Sequence, residues 1–197
     1  LNENAQVISS RSGVGIEVAC AVVRNVAKAK EKTGDKLPIQ TDFHAILDDP
    51  TIDIVVEVMG GVEPARTLIL DAIARGKHVV TANKHLIATQ GEEIFHAAQE
   101  RGVTVVYEAA VAGGIPIIKA LREGLAADRI ESVSGIVNGT SNFILTMMRE
   151  KGVSFSEALR QAQELGYAEA DPTFDIEGID AAHKMTILAG LAFGTPF

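Results

Sequence analysis

The sequence has no tryptophan, two tyrosines and one cysteine. A single thiol excludes an intrachain disulfide, and the place of Cys20 in the apolar run IEVACAVV (16–23) makes it a buried structural residue rather than a redox centre. Basic residues are also in short supply: 18 Lys and Arg against 26 Asp and Glu leave a formal charge of −8 and a pI near 5.1. A general binder of nucleic-acid phosphates needs a basic face, and here the cations are scattered, which argues against a nucleic-acid partner. No uninterrupted apolar run approaches the roughly 18 residues that span a bilayer. The opening LNENAQVISSR lacks the form of a signal peptide. Together these absences suit a reducing cytoplasm and exclude the membrane.

What is present is apolar residue enough for a packed core, 47% of 197 residues, in one large domain or two small ones. The chain opens on Leu, reaches a strand-like run by residue 16 and stops abruptly at AFGTPF, so it is expected to be a segment of a longer protein. Strand-like and helix-like segments alternate through the first half. IEVACAVV reads as a buried strand and VAKAKEKTG as a charged connection; FHAILDDP (43–50) is a short helix leading into the β-branched strand IDIVVEVMGG (52–61). VEPARTLILDAIARGK is an amphipathic helix stopped by Gly76, HVVTANK a strand and its exit loop, GEEIFHAAQERG a helix, and VTVVYEAAVAGG a strand. Repeated passage from strand to helix predicts an α/β, Rossmann-like doubly wound parallel sheet over residues 1–107. From 108 to 197 the rhythm changes to one strand-like run, RIESVSGIVNG, among several helices. This predicts a second, α+β unit joined through the glycine pair Gly113 and Gly114.

The glycines of RSGVGIE precede a strand instead of following one and lack a third member, so they read as a turn; a phosphate loop would lie upstream of residue 1. Three strand exits, VMGG (58–61), TANK (81–84) and EAAVAGG (108–114), end in small or polar residues. Ligands of open α/β sheets sit outside the carboxyl ends of the strands, so these exits should converge on one crevice. Lys84 is the cation among them, either a solvated loop lysine or a ligand-facing one. In DPTFDIEGIDAAHK (171–184), Asp171 before Pro172 is turn chemistry, Asp175 is a candidate helix N-cap, and His183 has no partner at metal-ligand spacing. Asp180 and Lys184 stand four apart on one helical face, which Ile187, Leu188 and Leu191 continue. Such a pair is either an ordinary surface pair or, because its helix is apolar there, a desolvated one suited to proton transfer.

The run LGYAEADPTFDIEGIDAAHK resembles the homoserine dehydrogenase signature, with Gly166, Tyr167, Asp171, Pro172, Asp175, Gly178, Asp180 and Lys184 all in register. The resemblance extends through VEVMGG, TANK, YEAAVAGGIPII and VNGTSNFIL, nearly the whole chain, without the family's N-terminal glycine-rich loop or its C-terminal remainder. It implies reversible hydride transfer between NAD(P)H and L-aspartate 4-semialdehyde, giving L-homoserine, on the route to threonine, methionine and isoleucine. Lys184 would be the proton donor, Glu169 and Asp180 would bind the substrate's amino-acid end, and Asp175 would support Lys184 or the substrate. Lys84 would lie near nicotinamide and substrate, with Gly60 and Gly166 lining the cofactor. The family's monovalent cation, sodium, would be held mainly by backbone carbonyls at Glu108, Val111, Gly113 and Ile115. The region beyond residue 107 would be a catalytic domain that forms a homodimer. Arg24, at the end of ACAVVRN where an NAD-selective domain often carries an acid, predicts NADP over NAD.

Overall fold

In the computed structural model, which describes residues 1–196 and of Asp35 only the backbone, strands and helices alternate from the start. Helix α1 (Ala5–Ser12) ends at Gly13, so RSGVG is indeed a turn, but the helix before it has no buried face and periodicity does not announce it. Strand β1 (Ala21–Val22) is much shorter than the apolar run containing it, and Cys20 just before it is half-buried rather than buried. The segment expected as a connection is helix α2 (Val26–Thr33). Its first turn is capped by Asn25, which accepts a hydrogen bond from the amide of Lys28, and Lys30 and Lys32 sit in its last turn where the helix dipole favours cations.

Strand β2 (Ile39–Gln40) pairs parallel with β1. Helix α3 (His44–Leu47), strand β3 (Ile54–Glu57), helix α4 (Ala65–Ala74), strand β4 (His78–Thr81), helix α5 (Lys84–Arg101) and strand β5 (Val105–Val106) follow. The last three strands form a parallel sheet in the order β3-β4-β5, with Glu57 opposite Thr81 and Val80 opposite Val106. One face of each strand, with Val55, Val79 and Val105, is buried against Ile69, Ile73, Leu86 and Ile94 of α4 and α5. Fully burying each such aliphatic side chain contributes roughly 1.5–3 kcal/mol, which is what holds the strand exits in register.

Beyond β5 the chain is helical: a 3-10 turn (Glu108–Ala110), then α6 (Ile117–Lys119) running into a π-helical turn (Ala120–Gly124), α7 (Gly139–Lys151), α8 (Phe155–Glu164), α9 (Thr173–Ile176) and α10 (Ile179–Phe193). The run RIESVSGIVNG forms no strand among the described residues, because no neighbouring strand takes up its backbone groups. Helix α10 does bury the apolar face expected of it: Ile187 and Leu188 join Ile87 and Ala88 of α5 with Val111, Ile118 and Leu121. This cluster draws from both sides of residue 108 and sets α10 across the start of α5. A separate cluster, Ile144, Met147, Ala158, Ala162 and Ala168, closes α7 on α8. Among the described residues no helix is long and apolar enough to cross a membrane.

Candidate active site

The strand exits do converge. Glycines and alanines of 60–61, 82 and 109–113 line an open crevice of about 500 Å³, together with Lys84, His85, Phe174 and Lys184. Gly60 holds the β3 exit in the left-handed region at φ 77°, and a Cβ built on it would meet nothing within 4 Å. Bare backbone facing open space at the carboxyl ends of parallel strands fits the close approach of a nucleotide cofactor.

Lys84 is not a loop residue. Asn83 ends the β4 exit by accepting a hydrogen bond from the amide of Leu86, which makes Lys84 the first residue of α5. A cation at a helix N-terminus opposes the macrodipole by about 0.3–1 kcal/mol, so the position calls for a compensating anion. Asp180 provides it: Lys84 donates to Asp180 Oδ1, and Lys184 meets Asp180 Oδ2 at 2.6 Å. Asp180 sits in the first turn of α10, where the dipole favours an anion, and is 7% exposed. The i,i+4 pair read from the sequence is therefore the desolvated alternative, shared with a second lysine. Burial alone would raise the carboxyl pKa of Asp180, but hydrogen bonds from Lys184, Lys84 and Asn138 outweigh it and bring the pKa down to about 2.

Asn138 completes the cluster. Its Oδ1 accepts from the amide of Ser141, capping α7, while its Nδ2 donates to Asp180 Oδ2 at 2.9 Å and to Asp175 Oδ1 at 2.8 Å. Asp175 thus lies inside the short helix α9 and is no N-cap; the residue before α10 is Gly178, which has no side chain to cap with. Asp171 is the turn residue it was expected to be, accepting from both the amide and the hydroxyl of Thr173. The Lys184 ammonium also donates to the carbonyl of Val137 at 2.7 Å. Among the described residues these are its two partners, which leaves one of its three N–H bonds without one, and Lys184 lines the crevice. At the mouth, His183 stacks on His85 at 4.8 Å between ring centroids, with Phe174 edge-on to His183 at 5.9 Å. Burial, then the charges of His85 and Lys84, lower the His183 pKa.

Other expected site residues are not brought to this crevice. Gly166 and Glu169 are exposed beyond α8, and neither lines it; the Glu169 carboxylate has no partner among the described residues. Arg24 is exposed two residues past β1, likewise without a hydrogen bond or ion pair. In the 108–115 loop the Glu108 carboxylate accepts from the amides of Ile118 and Lys119, both at 2.9 Å, so its side chain caps α6. The carbonyls of Val111 and Gly113 accept no hydrogen bond among the described residues, and that of Ile115 accepts one from Ile117. The Glu108 side chain is therefore engaged by α6, and of the expected cation ligands the carbonyls of Val111 and Gly113 are the ones left unengaged among the described residues.

Sequence reasoning left Asn138 and Glu57 without roles. The signal for Asn138 was an Asn ahead of a Gly-Thr-Ser helix start; for Glu57 it was an acid at an inward position of an apolar strand.

Known proteins share this arrangement of chain. A family model described as homoserine dehydrogenase, NAD binding domain, matches residues 2–108, and one described as homoserine dehydrogenase matches 116–197. A curated homoserine dehydrogenase from Pseudomonas aeruginosa is 59% identical over 196 residues, covering 100% of this chain and 45% of that protein. The crystal structure of a homoserine dehydrogenase from Thiobacillus denitrificans superimposes with a TM-score of 0.94 at 64% identity, again over 100% of this chain and 45% of that one. A hyperthermophilic archaeal homoserine dehydrogenase in complex with NADPH gives 0.83 at 31% identity, over 98% of this chain and 66% of that one. This chain therefore spans a little under half the length of the bacterial relatives named here. With both family models in sequence order and the acid–lysine cluster in place, the chain belongs to the homoserine dehydrogenase family.

Proposed function

We propose that the intact protein is a homoserine dehydrogenase, an oxidoreductase that reversibly reduces L-aspartate 4-semialdehyde to L-homoserine with NADPH, serving threonine, methionine and isoleucine synthesis. The observation that carries this reading is the cluster of two lysines on one aspartate at a crevice beyond the carboxyl ends of parallel strands. A nicotinamide cofactor, when bound, supplies the hydride to the aldehyde carbon.

The chain's own residues hold and move the proton. The unengaged N–H of Lys184 donates to the aldehyde oxygen, so carbon gains a hydride, oxygen gains a proton, and Lys184 is left as the neutral amine. Asp180 is not left unpaired at that moment, since Lys84 still donates to it. In reverse, neutral Lys184 takes the hydroxyl proton. Asn138 holds Asp180 and Asp175 in fixed relation, so the acid keeps its face to both lysines. By the family resemblance Glu169, which lies outside the crevice with its carboxylate unpartnered among the described residues, would bind the substrate's ammonium together with Asp180. Gly60, at the crevice, would line the cofactor with its backbone, and Gly166 and Arg24, both outside the crevice, are the further residues that would hold it, Arg24 by its charge for the 2′-phosphate of NADP. A monovalent cation, sodium, would be held mainly by the carbonyls of Glu108, Val111, Gly113 and Ile115 and would brace the segment that leads from β5 into α6. Residues 1–107 form the nucleotide-binding part and 108–197 the catalytic part of a homodimer, for which Ile136 and Leu145, 77% and 64% exposed, are available surface.

The test is NADPH oxidation by the intact protein with L-aspartate 4-semialdehyde. Turnover at that substrate and release of homoserine is expected; no oxidation, or a clear preference for another semialdehyde, overturns the reading. Arg24→Ala should shift the ratio of kcat/KM for NADPH over NADH towards NADH, and an unchanged ratio removes Arg24 from cofactor choice.

A further inference from the structure

Glu57 is the most deeply buried acid among the described residues, 1% exposed on the inward face of β3, and it forms no ion pair there. Its carboxylate instead accepts three hydrogen bonds. Oε1 takes the amides of Met59 at 2.6 Å and Gly60 at 3.2 Å, and Oε2 takes the hydroxyl of Thr81, its cross-strand neighbour, at 2.6 Å. The Thr81 oxygen in turn accepts the amide of Asn83 at 2.9 Å, and Asn83 caps α5 immediately ahead of Lys84. Asn83 also donates from Nδ2 to the carbonyl of Gly61 at 2.6 Å. The glycine exit of β3 and the lysine-bearing start of α5 are therefore tied together twice, at their base by Glu57 and at their top by Asn83.

We infer that Glu57 is a positioning residue for the reaction proposed above, fixing through the Gly60 loop where the nucleotide lies and through Thr81 and Asn83 where Lys84 stands. The directions of the bonds make a carboxylate necessary at this position. Every partner of Glu57 is a donor, and the Thr81 hydroxyl proton has no other acceptor among the described residues, so it points at Oε2. A glutamine of the same shape cannot satisfy the set. With its NH₂ towards the loop it faces two N–H groups; with its NH₂ towards Thr81 the hydroxyl proton loses its acceptor. Burying an acid without a counter-ion is costly unless its hydrogen bonds are met, and the sheet keeps this one where its acceptors shape the crevice.

The inference rests on the proposed function, and the experiment separates the two. In the intact protein, kcat and both KM values are measured per folded molecule for E57Q, T81V and T81S, alongside direct titration of NADPH. E57Q leaves one of the two links unmet whichever way its amide turns, and should either raise KM for NADPH about tenfold or lower kcat about tenfold. T81V removes both bonds of the Thr81 hydroxyl, to Glu57 and from Asn83, but leaves Oε1 on the Gly60 loop, and should lower kcat about tenfold with KM for NADPH within about twofold; displacement of a reacting group by an ångström is enough for losses of this size. T81S restores the hydroxyl and should recover most of the T81V loss. Kinetics of E57Q within about twofold of wild type, or a loss of folded protein with unchanged turnover per folded molecule, overturns the inference. Should E57Q not fold, the split between T81V and T81S decides it in the same way. A wild-type protein inactive on aspartate semialdehyde sinks the functional reading instead, and the NADPH titration of E57Q then judges Glu57 by itself.

Discussion

Strands β3 and β4 carry buried charge at both of their ends, and the two ends use it in different ways. Where β4 begins, Lys77 is 5% exposed and its ammonium donates to the carbonyls of Asp49 and Ile52 at 2.6 and 2.7 Å, closing the turn that leads into β3. It forms no ion pair among the described residues, so its partners are backbone atoms that cannot exchange a proton with it. Where the strands end, Glu57 shapes the exit loops while Lys84 and Lys184 share Asp180 and face an open crevice. A buried charge is therefore no sign of chemistry by itself. What separates the ends is whether a titratable partner and an unengaged donor meet at a cavity.

The largest effect that tests this difference comes from exchanging the lysines at the two ends. Lys184→Ala in the intact protein should lower kcat by about 10³-fold, within the range attributed to general acid catalysis, while the fold is retained because Lys84 still pairs with Asp180. Lys77→Met should do the opposite. Two part-buried carbonyls lose the ammonium, that of Asp49 keeping only the amide of Ile52, which costs about 1–3 kcal/mol of stability, and turnover per folded molecule stays at the wild-type value. Steady-state kinetics and thermal melting on the same samples read both, and equal kinetic losses in the two variants would erase the distinction.

Next in size is Asp180→Asn, which leaves both lysines without their shared anion; turnover should fall about 10²-fold or more. The same variant carries a pH signature. The Asp180 carboxyl is held below its ordinary 3.8, at about 2, in the fold. The unfolded chain therefore binds the proton more readily, and the stabilisation is fully present above the ordinary value and disappears as pH falls through the folded one. Melting temperatures of wild type and Asp180→Asn should differ by a constant amount above about pH 5 and converge between roughly pH 4 and 2. A gap that persists at pH 2 would show that the carboxylate is not what the lysines stabilise.

How much of this was legible in the sequence follows from how local each feature is. The alternation of strand and helix, the small residues at the strand exits, and Asp180 with Lys184 four apart on an apolar helix are short-range patterns, and all three stand in the structure. The helices α1 and α2 are not legible, because neither buries a residue, and only α2 has a side-chain N-cap. The sequence leaves Lys84 open between a solvated loop lysine and a ligand-facing one, and nothing in TANK except one asparagine marks a helix start. Asp175 looked like a cap because Asn138, the group that engages it, lies 37 residues away in the chain. The run 129–139 has the pattern of a strand, yet pattern cannot supply the neighbour that a strand needs. Glu57 was visible only as an acid out of place, and its partners are assigned by strand register.

The smallest effect sharpens the comparison furthest, because it changes one methyl group at each end of the sheet. Gly60, at the exit of β3, and Gly102, at the end of α5 just before β5 begins, have φ values of 77° and 72°, and a Cβ on either would meet nothing within 4 Å. Gly60→Ala and Gly102→Ala should therefore cost about the same stability, roughly 1 kcal/mol, since the penalty is the left-handed backbone alone and no neighbour is displaced. Function should divide them. The methyl on Gly60 enters the crevice where the nucleotide is proposed to lie, and KM for NADPH should rise several-fold with kcat little changed. The methyl on Gly102 faces the end occupied by no chemistry, and KM should stay as in wild type. Matched melting temperatures with a KM change confined to Gly60→Ala would locate the cofactor at the carboxyl end of the sheet; a change shared by both variants would mean that the backbone strain itself, transmitted along α5, moves Lys84.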